Sequence, residues 1–164
     1  MKKVKFIGLA LLLALALMGA AFAAWSNTLT GNATLETGTL DSSIAPGTVS
    51  DNDPEGLDVA NVTATAGEDG KSIAITVNNA YPGYEARVPF TVSNNGTIPV
   101  DVSDLTFTGV PEALTVTDDF GGANDLAPGG NTSGAITVKV GDGAEQHTTY
   151  TFTAKIDVSQ FNAH

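Results

Sequence analysis

From Lys71 onward the chain alternates. KSIAITV points Ile73, Ile75 and Val77 to one side, RVPFTV does the same with Val88, Phe90 and Val92, and SGAITVKV with Ile136, Val138 and Val140. TYTFTAKIDV continues the pattern through Tyr150, Phe152, Ala154, Ile156 and Val158. A period of two describes a strand buried on one face, and no window after the first 23 residues carries apolar residues at helical spacing. Thr, Val and Gly are abundant and turn signals fall between the strands, at Pro82-Gly83, Asn95-Gly96, Gly121-Gly122, Pro128-Gly129-Gly130 and Gly141-Asp142-Gly143. The expectation is an all-β fold, an antiparallel sandwich of jelly-roll or Greek-key type.

Two segments change parity midway. In IPVDVSDLTF the apolar set runs Ile98, Val100, Val102 and then Leu105, Phe107; in LDVANVTA it runs Leu57, Val59 and then Val62, Ala64. A one-residue slip exchanges the two faces of a strand, so each is read as a bulge or as a corner between sheets. Pro89 sits inside a strand and cannot donate to a ladder. It marks an edge, or a side of the strand that needs no neighbour.

The first 23 residues differ from the rest. A basic start (Lys2, Lys3, Lys5), an apolar run from Phe6 to about Ala20 and the triplet Ala21-Phe22-Ala23 describe a secretory signal peptide with an A-x-A site. A retained membrane anchor and a pilin-type leader cut near Gly8 are the rival readings. Cleavage after Ala23 leaves 141 residues, enough for one domain, placed outside the cell and free of the membrane. This part holds all 18 acidic residues and only four basic ones, Lys71, Arg87, Lys139 and Lys155, for a net charge of −14. Such a surface excludes nucleic acid as a partner and makes close association sensitive to salt and divalent cations. Cysteine is absent, so an exported domain must be held by its core, its strand pairing or its neighbours.

Little in the chain looks catalytic. The histidines, His147 and His164, lie in no nucleophile or zinc motif, and the reading is that the protein is not an enzyme and needs no cofactor. In DNDPEGLD, Asp51, Asp53 and Glu55 with Gly56 imitate the first half of a calcium loop. Val62 stands where the closing carboxylate belongs, so an exposed turn is the preferred reading and no metal site is assigned. Asn32, Asn61, Asn95 and Asn131 open N-x-S/T sequons and are candidate glycosylation sites. Lys139 and Lys155 fall on the polar faces of their strands, which argues against buried covalent crosslinks.

The segment just after the signal also alternates. From Trp25 to Glu36 the odd positions are Trp25, Asn27, Leu29, Gly31, Ala33 and Leu35, and every even one is polar. It reads as a strand with one face against a core. It either closes its own sandwich or completes the sheet of a neighbour.

FAAWSN, ATLETGTLD and YPGYEARVPFTVSNNGTIPV, in that order, resemble the TasA/camelysin group of secreted biofilm-matrix proteins and the related subunits of archaeal bundling pili. The resemblance implies a jelly-roll subunit that polymerises head to tail by donor-strand complementation. Residues 24–36 would be the donor, with Trp25, Leu29, Ala33 and Leu35 as inward anchors, and residues 37–164 the sandwich. It also implies an Asn-Gly hairpin at Asn95-Gly96. Some members carry a peptidase label, but this chain lacks a metal-protease motif. The function expected is a homopolymeric extracellular filament that bundles laterally in a biofilm matrix; the alternative is a monomeric Ig-like surface module for adhesion or glycan binding.

Overall fold

A computed structural model describes residues 2–23, 31, 33–54, 59–145 and 148–162. The chain divides into two compact units, Met1–Glu36 and Thr37–His164. The first contains one helix, α1 (Lys2–Ala23). Its residues 31 and 33–36 belong to no helix or strand and are exposed.

The second unit is built of strands that pair antiparallel throughout. One sheet has the order β1-β5-β10-β8 (Ser42–Pro46, Glu85–Asn94, Asn131–Val140, Leu114–Asp118), and β2 (Ser50–Asp51) also pairs with β5. A second has the order β3-β4-β11-β7 (Asn61–Ala66, Ser72–Asn78, Tyr150–Lys155, Thr106–Thr108). A smaller third sheet is β12-β6-β9 (Val158–Gln160, Val100–Val102, Ala123–Leu126). All three contribute to one hydrophobic core, an arrangement compatible with an all-β sandwich.

Alternation placed the core correctly. Ile73, Ile75 and Val77 of β4, Val88, Phe90 and Val92 of β5, Ile136, Val138 and Val140 of β10, and Tyr150, Phe152 and Ala154 of β11 are all buried. Connections mostly pass between sheets, and among the described residues only β3–β4 is a hairpin between consecutive strands of one sheet. At the first parity change β6 belongs to the third sheet and β7 to the second, so residues 103–105 are the corner the sequence implies. That corner is pinned by Ser103, whose N–H reaches the Asp157 carbonyl at 2.9 Å and whose hydroxyl accepts the Asp157 N–H at 2.9 Å.

Three expectations need correction or lie out of reach. Val59 is 42% exposed while Ala60 is fully buried, so the inward set runs Ala60, Val62 and there is no slip. The cause is that Asp53 holds the N–H groups of Val59 and Ala60 before the strand begins. Leu57 lies outside the described residues. Asn95-Gly96 is not a hairpin, because β5 and β6 lie in different sheets and the segment carries the chain between them.

Pro89 occupies a strand with neighbours on both sides. Pro46 lies opposite Phe90 and Ser50 opposite Arg87, so Gly47–Val49, three residues, face only Val88 and Pro89. The bulge leaves no acceptor waiting for a Pro89 N–H, while the Pro89 carbonyl still accepts from Gly47 at 2.7 Å. Pro89→Ala is therefore expected to change stability by less than about 1 kcal/mol. Thr91→Pro, two residues along and opposite Ala45 in the intact ladder, should cost about 3 kcal/mol or more. Urea denaturation of the two variants measures the difference.

Candidate functional site

Where the N-terminal segment enters the β-unit, the two stretches that carry the family resemblance touch. Thr39 donates its N–H to the Thr97 hydroxyl at 2.8 Å, and Thr97 returns its own N–H to the Thr39 carbonyl at 2.9 Å. The Asp41 carbonyl accepts from both Asn95 and Gly96, at 2.9 and 3.0 Å. Gly38 and Gly96 are the points of closest approach. A Cβ on Gly38 would overlap the Ile98 side chain, and one on Gly96 would overlap the Thr39 carbonyl. This root ties residues 38–41 to the loop after β5.

Asn94 supports the root from below. It is 1% exposed; its side-chain amide donates to the carbonyls of Ile98 (2.9 Å) and Leu126 (2.8 Å), and its oxygen accepts the Gly96 N–H at 2.9 Å. Its main chain exchanges further bonds with Gly129 and Gly130, in the turn after β9. One side chain thus ties the first sheet, the third sheet and the root together. The sequence reading missed it, although the signal was there: Val88, Phe90 and Val92 continue in parity to Asn94, a polar residue at an inward position.

The acidic stretch has a structural task. Asn52 accepts the Glu85 N–H (2.8 Å) and donates to the Gly83 carbonyl (3.1 Å), Tyr84 donates to Asp51 (3.2 Å), and Tyr81 donates to Asp53 (2.8 Å). The other Asp53 oxygen holds Val59 and Ala60. Asp51, Asn52 and Asp53 are therefore stapled to the turn Tyr81-Pro82-Gly83-Tyr84, with Gly83 at φ 87° as a type II turn demands. Glu55 lies outside the described residues, and among those described no three His, Cys, Asp or Glu side chains are grouped to hold a metal ion.

These contacts act on ionisation. At Asp53 partial burial works against the charge, but the bonds from Tyr81, Val59 and Ala60 outweigh it and hold the carboxyl below its usual range. The Tyr84 hydroxyl is pushed up, first by burial and then by the Asp51 charge. Asp119 is held low by Arg87, with Ala135 N–H as a second donor, and Asp69 by Ser72 and Lys71.

The first sheet's outer face carries a depression of about 590 Å³, lined by Pro46, Pro89, Thr91, Ser133 and the ion pair of Arg87 and Asp119 at 2.6 Å. Lys139 and Lys155 are exposed and pair with Glu85 and Asp157, at 3.1 and 3.4 Å. Among the sequons, Asn61 and Asn131 are exposed at the first positions of β3 and β10. Asn95 is exposed with its amide bonded to Ser43 at 3.0 Å, and Asn32 lies outside the described residues. Of the residues expected as donor anchors, Ala33 and Leu35 are exposed; Trp25 and Leu29 lie outside the described residues, as do His147 and His164.

Two predictions follow from this geometry. Asn94→Ala removes the amide donors to the Ile98 and Leu126 carbonyls and one of the two acceptors of the Gly96 N–H, and should cost about 3 kcal/mol, whereas Asn95→Ala, which loses one exposed bond, should cost less than about 1 kcal/mol by chemical denaturation. Folded-state values lowered at Asp53, Asp69 and Asp119 stabilise the fold fully above the unfolded carboxylate range near pH 4, and that contribution is lost as pH falls through the lower folded values. Melting temperature should therefore hold steady from pH 7 to about pH 5 and decline below about pH 4; Asp53→Asn should flatten part of that decline.

Compared with known proteins, the chain matches no family model, no curated protein and no solved structure.

Proposed function

We propose that this chain is an exported structural subunit of an extracellular filament, a bundling pilus or matrix fibre, in which the N-terminal segment of one copy completes the sheet of the next. Residues 1–23 act as the export signal, 24–36 as the donor strand, and the remainder as a jelly-roll body. One observation carries the reading. The segment has the alternation of a half-buried strand, yet residues 33–36 lie in no strand and Leu35 is 89% exposed. An amphipathic segment whose described apolar positions, Ala33 and Leu35, are exposed is matched by what a second copy can supply: main-chain partners and an apolar groove. The rigid root at Gly38–Asp41 supports the same reading, because a donor transmits register only if its base is fixed.

The net charge of the exported part, −14, keeps such filaments apart laterally. Bundling then answers to ionic conditions while polymerisation does not, since a donor strand is held by burial and main-chain bonds. Added Mg²⁺ should raise light scattering by bundling without creating new filament ends. The second reading, a monomeric Ig-like surface module, has the depression beside Arg87 and Asp119 in its favour. It requires a protein that stays monomeric at all concentrations.

Deleting residues 24–36 should give a secreted protein that forms no filaments. The sharper variant is Leu29→Asp, which keeps strand length but places a carboxylate where an apolar anchor enters, costing at least several kcal/mol per junction. Thr28→Asp, one residue away on the polar face, should polymerise nearly as the parent does. Electron microscopy of secreted protein decides it. Filaments surviving both the deletion and Leu29→Asp would end donor-strand assembly as an explanation.

A further inference from the structure

We propose that the edge of β8 is where a second copy of this chain is received, and that the occupant is its segment 24–36; the inference rests on the filament reading above. The two sides of the sandwich differ. On one, β1 packs beside β3 and β4, and the Ile44 N–H reaches the Gly70 carbonyl at 2.8 Å, so that side is closed. On the other, β8 ends the first sheet and β7 ends the second, and no pairing joins them among the described residues.

The polarity of β8 shows what its edge offers. Asp119 donates to the Ala135 carbonyl at 3.2 Å, so Asp119, and with it Thr117 and Thr115, turn their main-chain groups towards β10. Leu114, Val116 and Asp118 turn theirs the other way. Leu114 finds the Pro111 carbonyl at 3.0 Å, in the turn before the strand, but among the described residues no strand lies beside Val116 and Asp118. The side chains beneath are apolar and only partly covered: Val116 on β8, and Leu105 and Phe107 across the gap. Natural sheets protect such edges with proline, lysine or a bulge, and LTVTD has none of them. The opposite edge strand, β1, ends in Pro46 and the bulge.

The occupant follows from length, pattern and placement. Residues 24–36 span about 40 Å when extended, ample to cover a strand of five residues, and their odd positions supply an apolar face for Val116 and Phe107 to meet. The root at Thr39 lies at the β1 side of the first sheet, with β5 and β10 between it and β8. A strand leaving at one edge and received at the other makes a heterologous contact, which extends head to tail and does not close on itself as a two-fold dimer would.

The chain has no cysteine, so introduced pairs report cleanly. Thr28→Cys or Thr30→Cys, on the polar face of the segment, is combined in the full chain with Thr117→Cys on the exposed face of β8. Thr63→Cys on β3 is the control edge. Two positions are scanned because a disulfide needs Cα atoms about 4.4–6.8 Å apart. Oxidised filaments should give a ladder of covalent multimers through Thr117→Cys and none through Thr63→Cys. Filaments that ladder through Thr63→Cys alone, or through neither, overturn the β8 assignment and leave the filament reading standing. A Thr117→Cys crosslink confined to monomers means that the strand closes its own domain, and overturns the second copy as occupant. Absence of filaments in the cysteine-free parent removes the filament reading and this inference with it.

Val116→Pro gives an independent measure. It removes an N–H directed at the open edge and spares the ladder to β10, so the secreted protein should keep its β-rich circular dichroism and lose polymerisation at least tenfold in critical concentration. A Val116→Pro protein that folds and polymerises as the parent does would overturn the assignment.

Discussion

A strand's main-chain donors and acceptors point sideways within the sheet, while its side chains point above and below, so no strand can satisfy itself. Every feature of this β-unit follows from finding each strand a neighbour on the correct side and an apolar surface beneath it. With no disulfide among its residues, the unit relies on pairing and on the common core that three antiparallel sheets enclose. Where pairing is interrupted, a specific residue compensates. Pro89 stands opposite the bulge that needs no donor, Ser103 and Asp157 close the corner between sheets, and Asn94 replaces missing main-chain partners with its own amide.

That accounting sets residues 24–36 apart. They have the alternation of the core strands, yet Ala33 and Leu35 are exposed, and among the described residues the first strand begins at Ser42. The root explains why such a segment can be useful. Gly38 and Gly96 let two backbones come closer than any side chain permits, and the reciprocal bonds of Thr39 and Thr97 hold the start of the β-unit to the loop after β5. The conversion of an acidic loop into a staple, with Asp51 and Asp53 receiving tyrosine hydroxyls, stiffens the far end of β5, the strand at whose near end the root is built.

The fold class was legible because alternation is a local signal: β4, β5, β10 and β11 show their buried faces without reference to any other strand. The corner between Val102 and Leu105 was legible for the same reason. Pairing partners were not, since almost every connection changes sheet and register depends on residues far away in sequence. The Asn95-Gly96 hairpin failed on this ground: a turn dipeptide specifies a local reversal only if the flanking strands pair, and Asn94 holds them in different sheets. The structural task of the acid cluster was not legible because spacing along the chain says nothing about which oxygens are already occupied, here by Tyr81, Tyr84 and the N–H groups of Val59 and Ala60.

Hydrogen exchange at the amides of residues 24–36, compared between dilute monomer and assembled protein, tests the account at its centre. The account predicts fast exchange along the whole segment in the monomer. In the assembly, protection should appear at every second amide, as one edge of the segment pairs with the strand that receives it. Equal protection in dilute monomer, or no protection in the assembled form, would contradict it.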